Sequence, residues 1–145
     1  MRLTKEEIKY CNLARAFLNE AYECLLLKNQ SGKTYNQKLS NILEVENMME
    51  TKEFEIICGA SLVSLEWTKI RLQDNIRKLE ASLKEEAREN IFRSLSECQN
   101  KFQKNTLNKT LLCRNLKSDE FFRTCKIAQF DMFEIISAYE DYNLI

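Results

Sequence analysis

The sequence predicts an all-α protein, a single-domain bundle of five or six helices over residues 1–145 around a central helix at about 52–82. Three observations predict it. Proline is absent and glycine occurs only at Gly32 and Gly59, so nearly all turn punctuation is missing. Apolar residues recur at three-four spacing along most of the chain, the period of a helix with one buried face. The stretch 54–72, FEIICGASLVSLEWTKIRL, is apolar on two faces, and Ile56 to Leu65 pass without a charge. Phe54, Cys58, Leu65 and Leu72 fall on one side of a helix drawn through it. Ile56, Ala60, Val63, Trp67 and Ile70 fall roughly on the other. Such a helix needs neighbours on both sides, so Trp67 is expected to be buried.

The elements follow in order. Thr4-Lys5-Glu6-Glu7 has capping-box form and opens a helix to about Lys28. Its stripe is Tyr10, Cys11, Ala14, Phe17, Leu18, Ala21, Cys24 and Leu25. Residues 29–34, NQSGKT, read as a loop. A second helix from about Tyr35 to Glu50 buries Leu39, Ile42, Leu43 and Met49. Thr51 caps the central helix, with Glu53 and Glu55 well placed in its first turns. Gly59 costs that helix about 1 kcal/mol relative to alanine, which is explained if another backbone passes close to it.

Past Ile70 only the stripe Leu72, Ile76, Leu79, Leu83 continues. The apolar phase then moves to Ala87, Ile91, Leu95, Cys98 and Phe102, and Ser82-Leu83-Lys84-Glu85 is a second capping box. These place a break near Ser82. A short helix spans about 107–116. Ser118 caps the last one, whose stripe is Phe121, Cys125, Ala128, Met132, Ile135 and Tyr139, with Ile127 and Phe130 off it.

Six cysteines, Cys11, Cys24, Cys58, Cys98, Cys113 and Cys125, form no CxxC pair. Cys11, Cys58 and Cys125 lie on apolar stripes, where a reduced thiol behaves as a small hydrophobe. The N-terminus carries charges where a secretion signal needs an apolar run. The uncharged run is shorter than the about 20 residues that span a bilayer. A soluble, cytoplasmic protein with no membrane role is expected.

Histidine is absent, which excludes His-based triads and Cys/His zinc sites. Gly32-Lys33-Thr34 matches the tail of a phosphate-binding loop, but Leu27 stands where its first glycine belongs and a helix precedes it. Acidic pairs at i,i+3 could hold magnesium in a nucleotide hydrolase: Glu20/Glu23, Glu50/Glu53, Glu86/Glu89 and Asp131/Glu134. About three such pairs arise by chance from 22 acids in 145 residues, so the four carry little weight.

Net charge is zero, with 22 bases and 22 acids. A basic stretch, Lys101, Lys104, Lys109, Arg114, Lys117, Arg123 and Lys126, supports nucleic-acid binding as an alternative, but it lacks aromatic interleaving. The remaining class is contact with another protein or with itself, a homodimer included. Apolar residues left over after each helix has one buried stripe motivate it: Ile8, Leu26, Phe92, Ile127 and Phe130. The sequence therefore points to a non-enzymatic interaction module, an adaptor, inhibitor or assembly subunit, with no cofactor and no metal.

Overall fold

The computed structural model describes residues 2–102 and 119–131 together with Glu134 and Ser137, the side chains of 94–102 excepted. The protein is all-α. Six α-helices are described: α1 Lys5–Leu25, α2 Tyr35–Met49, α3 Lys52–Ala60, α4 Leu65–Ser82, α5 Lys84–Phe102 and α6 Asp119–Ala128. The chain divides into two compact units, residues 1–79 and 80–145.

In the first unit, each early helix starts on a threonine. Thr4, Thr34 and Thr51 accept from the backbone N–H three residues on, at 3.1, 3.2 and 3.2 Å. Thr34 makes a full capping box, because the Gln37 side chain also accepts from the Thr34 N–H. The first helix stops at Leu25, short of the expected Lys28, and a 3-10 turn, Leu27–Asn29, follows. Two side chains satisfy its last carbonyls: Asn29 Nδ2 donates to Glu23 O, and buried Gln30 donates to Cys24 O and Leu26 O. Gly32 then takes φ +81°, which a β-carbon would strain.

The core of this unit is Cys11, Leu18, Ala21 and Leu25 from α1, Leu39, Ile42, Val45 and Met49 from α2, and Phe54 and Cys58 from α3. Leu72, Ile76 and Leu79 continue it along α4. Tyr10 and Phe17, placed on the α1 stripe by spacing, are exposed, while Leu43 is half-buried.

The central helix expected at 52–82 is two helices. It breaks at 61–64, between α3 and α4, inside the uncharged run. The α3 end is a Schellman motif: Val63 N–H donates to Cys58 O and Leu62 N–H to Gly59 O, both at 3.1 Å. Leu62 holds the left-handed position with φ +58°, where glycine is usual. Ser64 starts α4, accepting on Oγ from Trp67 N–H and on its carbonyl from the Thr68 hydroxyl. The break turns Phe54, Cys58 and Leu72 inward and leaves the second apolar face uncovered. Ile56, Leu62, Val63, Trp67 and Ile70 are all exposed, which corrects the expectation for Trp67. Gly59 also differs from expectation, for no atom lies within 4 Å of where its β-carbon would be. No close backbone accounts for it.

In the second unit the expected break at Ser82 is present, and Leu83, which separates α4 from α5 in the chain, is buried. Ala87 and Ile91 face Thr124, Cys125, Ile127 and Ala128 across the packed pair of α5 and α6. Helix α6 stops at Ala128. Gln129 takes φ +59°, and Phe130 N–H donates to Cys125 O in a second Schellman motif. The expected helix at 107–116 and the positions Leu95, Cys98, Phe102, Met132, Ile135 and Tyr139 lie outside the described residues or side chains.

Each unit contains one copy of a helix-end contact that the apolar pattern alone does not reveal. In the first, Arg15 Nε donates to Ser61 O at 3.2 Å; in the second, Arg88 Nε donates to Ala128 O at 3.1 Å. Each arginine thereby neutralises the negative end of a neighbouring helix at its C-terminal carbonyl. The flanking sequences share several positions. Ala14-Arg15-Ala-Phe-Leu18 parallels Ala87-Arg88-Glu-Asn-Ile91, and Thr51-Lys-Glu-Phe54 to Cys58 parallels Ser118-Asp-Glu-Phe121 to Cys125. The left-handed residues Leu62 and Gln129 stand at the same place in the two copies.

Candidate functional site

The uncovered side of the α3–α4 turn is the first candidate. Trp67 and Ile70 stand three residues apart on one face of α4, and Leu62 and Val63 precede them in the turn. Ile56 lies on α3. Leu62 is 63% exposed, Trp67 59% and Ile56 67%. Leu62, Val63, Trp67 and Ile70 fall within one short run of chain, and exposed apolar side chains that adjoin one another mark interaction surfaces. Arg71, one turn along, lays its guanidinium 4.9 Å from the centre of the Tyr22 ring. Arg15 fixes the end of α3.

A second feature lies between α1 and α2. Phe17, Glu20, Ala21 and Cys24 face Asn41, Glu44, Val45 and Met48 across an open-sided groove of about 260 Å³. Burial raises the Cys24 thiol above its ordinary value, Lys33 opposes that shift and Glu44 adds to it. The thiol donates to Ala21 O at 3.2 Å.

The residues singled out from sequence are distributed as follows. Ile8 and Phe92 are exposed, and Leu26 is half-buried. Ile127 is 5% exposed, so the expectation that it is left over at the surface is corrected. It lies three residues after buried Thr124 and next to buried Ala128, on the face that α6 packs against α5. Phe130 is half-buried: its ring meets Phe92 edge-to-face at 5.7 Å and carries the Arg88 guanidinium at 5.2 Å. Phe92, Phe130 and Ile127 belong to one unit, Ile8 and Leu26 to the other.

Of the basic stretch, Lys126 is exposed, while Arg123 is half-buried in an ion pair with Glu80 and also donates from Nε to it at 2.8 Å. That pairing engages the Arg123 guanidinium within its own unit. Lys104, Lys109, Arg114 and Lys117, and the side chain of Lys101, lie outside what is described.

Cys11, Cys58 and Cys125 are buried free thiols, as their stripes predict, and Cys24 is half-buried. Burial raises the Cys58 thiol, against a hydrogen bond with Thr68 and the charge of Lys69. Among the described residues no three His, Cys, Asp or Glu side chains come together as a metal site, and no helix is long and apolar enough to cross a membrane. Lys33 and Thr34 follow a helical turn and Thr34 caps α2, so this loop has the wrong setting for a phosphate-binding motif.

No family model, curated protein or solved structure matches the chain. Function has to be sought in the chemistry of these surfaces. Trp67 reads as a core residue in the sequence because it sits on an apolar stripe, and Leu62 because it lies inside the uncharged run. The available signal was the tetrad Ser61-Leu-Val-Ser64, two serines flanking the point where the stripe breaks.

Proposed function

We propose that the protein is a non-enzymatic protein-interaction module, an adaptor, inhibitor or assembly subunit, acting through the apolar α3–α4 corner. The observation that carries this reading is Leu62. It occupies a left-handed backbone position that costs a non-glycine residue about 1–2 kcal/mol, and its side chain stands mostly in water. In the isolated chain such a side chain brings strain and little burial. It becomes favourable when a partner covers it together with Trp67, and tryptophan is among the commonest interface anchors. The buried free thiols support a reducing, cytoplasmic setting. The partner is another protein or a second copy.

The test uses Leu62→Gly, which removes the side chain and relieves the backbone, so folding holds while contact is lost. The parent chain, L62G and Trp67→Ser are compared in affinity capture from native extract, with and without nuclease, alongside sedimentation for self-association. Loss of the same bound protein, or of the dimer, in both variants is the expected result. Capture unchanged in both variants, or removed by nuclease alone, refutes the reading.

A further inference from the structure

We propose that the groove between α1 and α2 is a docking site for a basic amphipathic helix. It shares no residue with the Leu62–Trp67 corner, so either reading can fail alone. At about 260 Å³ and open on one side, the groove is smaller than the roughly 300–1,000 Å³ clefts that enclose small ligands. It suits side chains delivered by a larger body. Its apolar lining is Phe17, Ala21, Val45 and Met48, and methionine adapts its shape to what enters.

The open stripe continues along α1. Phe17, Leu13 and Tyr10 are exposed at successive steps of four and three residues. They cover about 10 Å of helix at about 1.5 Å per residue, the length over which a helical ligand presents its i, i+3 and i+7 anchors.

Charge selects the class of helix. Glu20 from α1 and Glu44 from α2 line the groove from opposite walls, and both are exposed. Neither enters an ion pair among the described residues, and no base lines the groove. Lys33, near Cys24, is the cation that acts on the groove's thiol. Apolar anchors seated on Phe17 and Met48 would bring flanking lysines or arginines beside the two carboxylates. An acidic helix would meet like charge on both walls.

The test titrates the full chain against a fluorescent helical peptide of leucine and lysine with leucines at i, i+3, i+4 and i+7. A peptide with glutamate in place of lysine is the comparison. The lysine peptide is expected to bind at least about tenfold more tightly than the glutamate peptide. It is also expected to shield Cys24 from alkylation and to lose about tenfold in affinity on Glu20→Gln with Glu44→Gln. Glu53→Gln with Glu55→Gln, exposed carboxylates elsewhere, is expected to leave affinity within about twofold. Equal affinity for the two peptides, equal loss in the Glu53/Glu55 variant, or unchanged binding by the Glu20/Glu44 variant overturns the proposal. A dimer in sedimentation that Phe17→Asp dissolves overturns it in favour of a second copy.

Discussion

Phe54 and Trp67 belong to one apolar stretch and sit in opposite environments, so truncating each to alanine measures the fold directly. Phe54 is 0% exposed, and deleting a ring from a filled core costs about 3–5 kcal/mol. Trp67 is 59% exposed. Some two-fifths of an aromatic residue's area of up to about 250 Å² is covered, on the order of 100 Å², and alanine keeps part of that. At about 25 cal/mol per Å², with no sealed cavity left behind, the cost is about 1–2 kcal/mol. Urea unfolding followed by far-ultraviolet circular dichroism gives both numbers without depending on the indole. The parent protein offers an independent check, because Trp67 is its only tryptophan and reports alone in fluorescence. Its emission should be that of a water-facing indole, open to iodide quenching. It should shift to the blue and lose quenching when a partner occupies the corner. A Trp67→Ala cost of about 3 kcal/mol or more, the loss expected of a buried ring, would refute the arrangement of α3 and α4. Blue, unquenchable emission from the dilute chain would refute it equally.

Three further outcomes follow from the packing. The Ser61 hydroxyl is fully buried and unpartnered among the described groups, while the matching position in the second unit is Ala128; Ser61→Ala should raise stability by about 1 kcal/mol in urea unfolding, and destabilisation would reveal a hidden bond. Glu80→Gln removes the carboxylate charge that the half-buried Arg123 guanidinium pairs with and should cost about 1–3 kcal/mol, only partly relieved by salt; a loss below about 0.5 kcal/mol, that of an exposed pair, would show the pair idle. Burial pushes the Cys125 thiol up to about 11 from an ordinary 9.0, so the folded state keeps its proton longer than the unfolded chain does. Its contribution is complete below pH 9 and disappears as pH rises toward 11, amounting to about 2–3 kcal/mol. Cys125→Ala should flatten the alkaline loss of stability over that window, and an unaltered slope would contradict the assignment.

Much of the fold was legible because helix periodicity and caps are local. The threonine caps at Thr4 and Thr51, the break at Ser82, the stripe Leu72–Ile76–Leu79–Leu83 and the buried thiols all come from spacing and cap chemistry alone. The expectation that failed was that an apolar face must be covered. Ile56, Val63, Trp67 and Ile70 satisfy the period of a buried stripe and remain open, because a four-residue turn redirects the chain between them. Periodicity reports where a side chain points around a helix axis and is silent on whether anything stands opposite. Leu62 and Gln129 were illegible for a related reason, since glycine marks a left-handed C-terminus and neither copy has it. Ile127 was assigned to the surface by a stripe extended past Ala128, where the helix has ended. The groove between α1 and α2 needed coordinates, because Glu20 and Glu44 are far apart in the chain and each looks like an ordinary solvated acid.

The arginine-to-carbonyl contact occurs at Arg15 and at Arg88, each preceded by alanine and each reaching the residue just before a left-handed one, so the molecule carries its own reference for that interaction. A lysine placed at either site loses the planar fork while keeping the charge. The untouched copy then serves as an in-built standard under identical solvent, temperature and concentration. The strength of one such bond can thus be compared against its twin in the same tube.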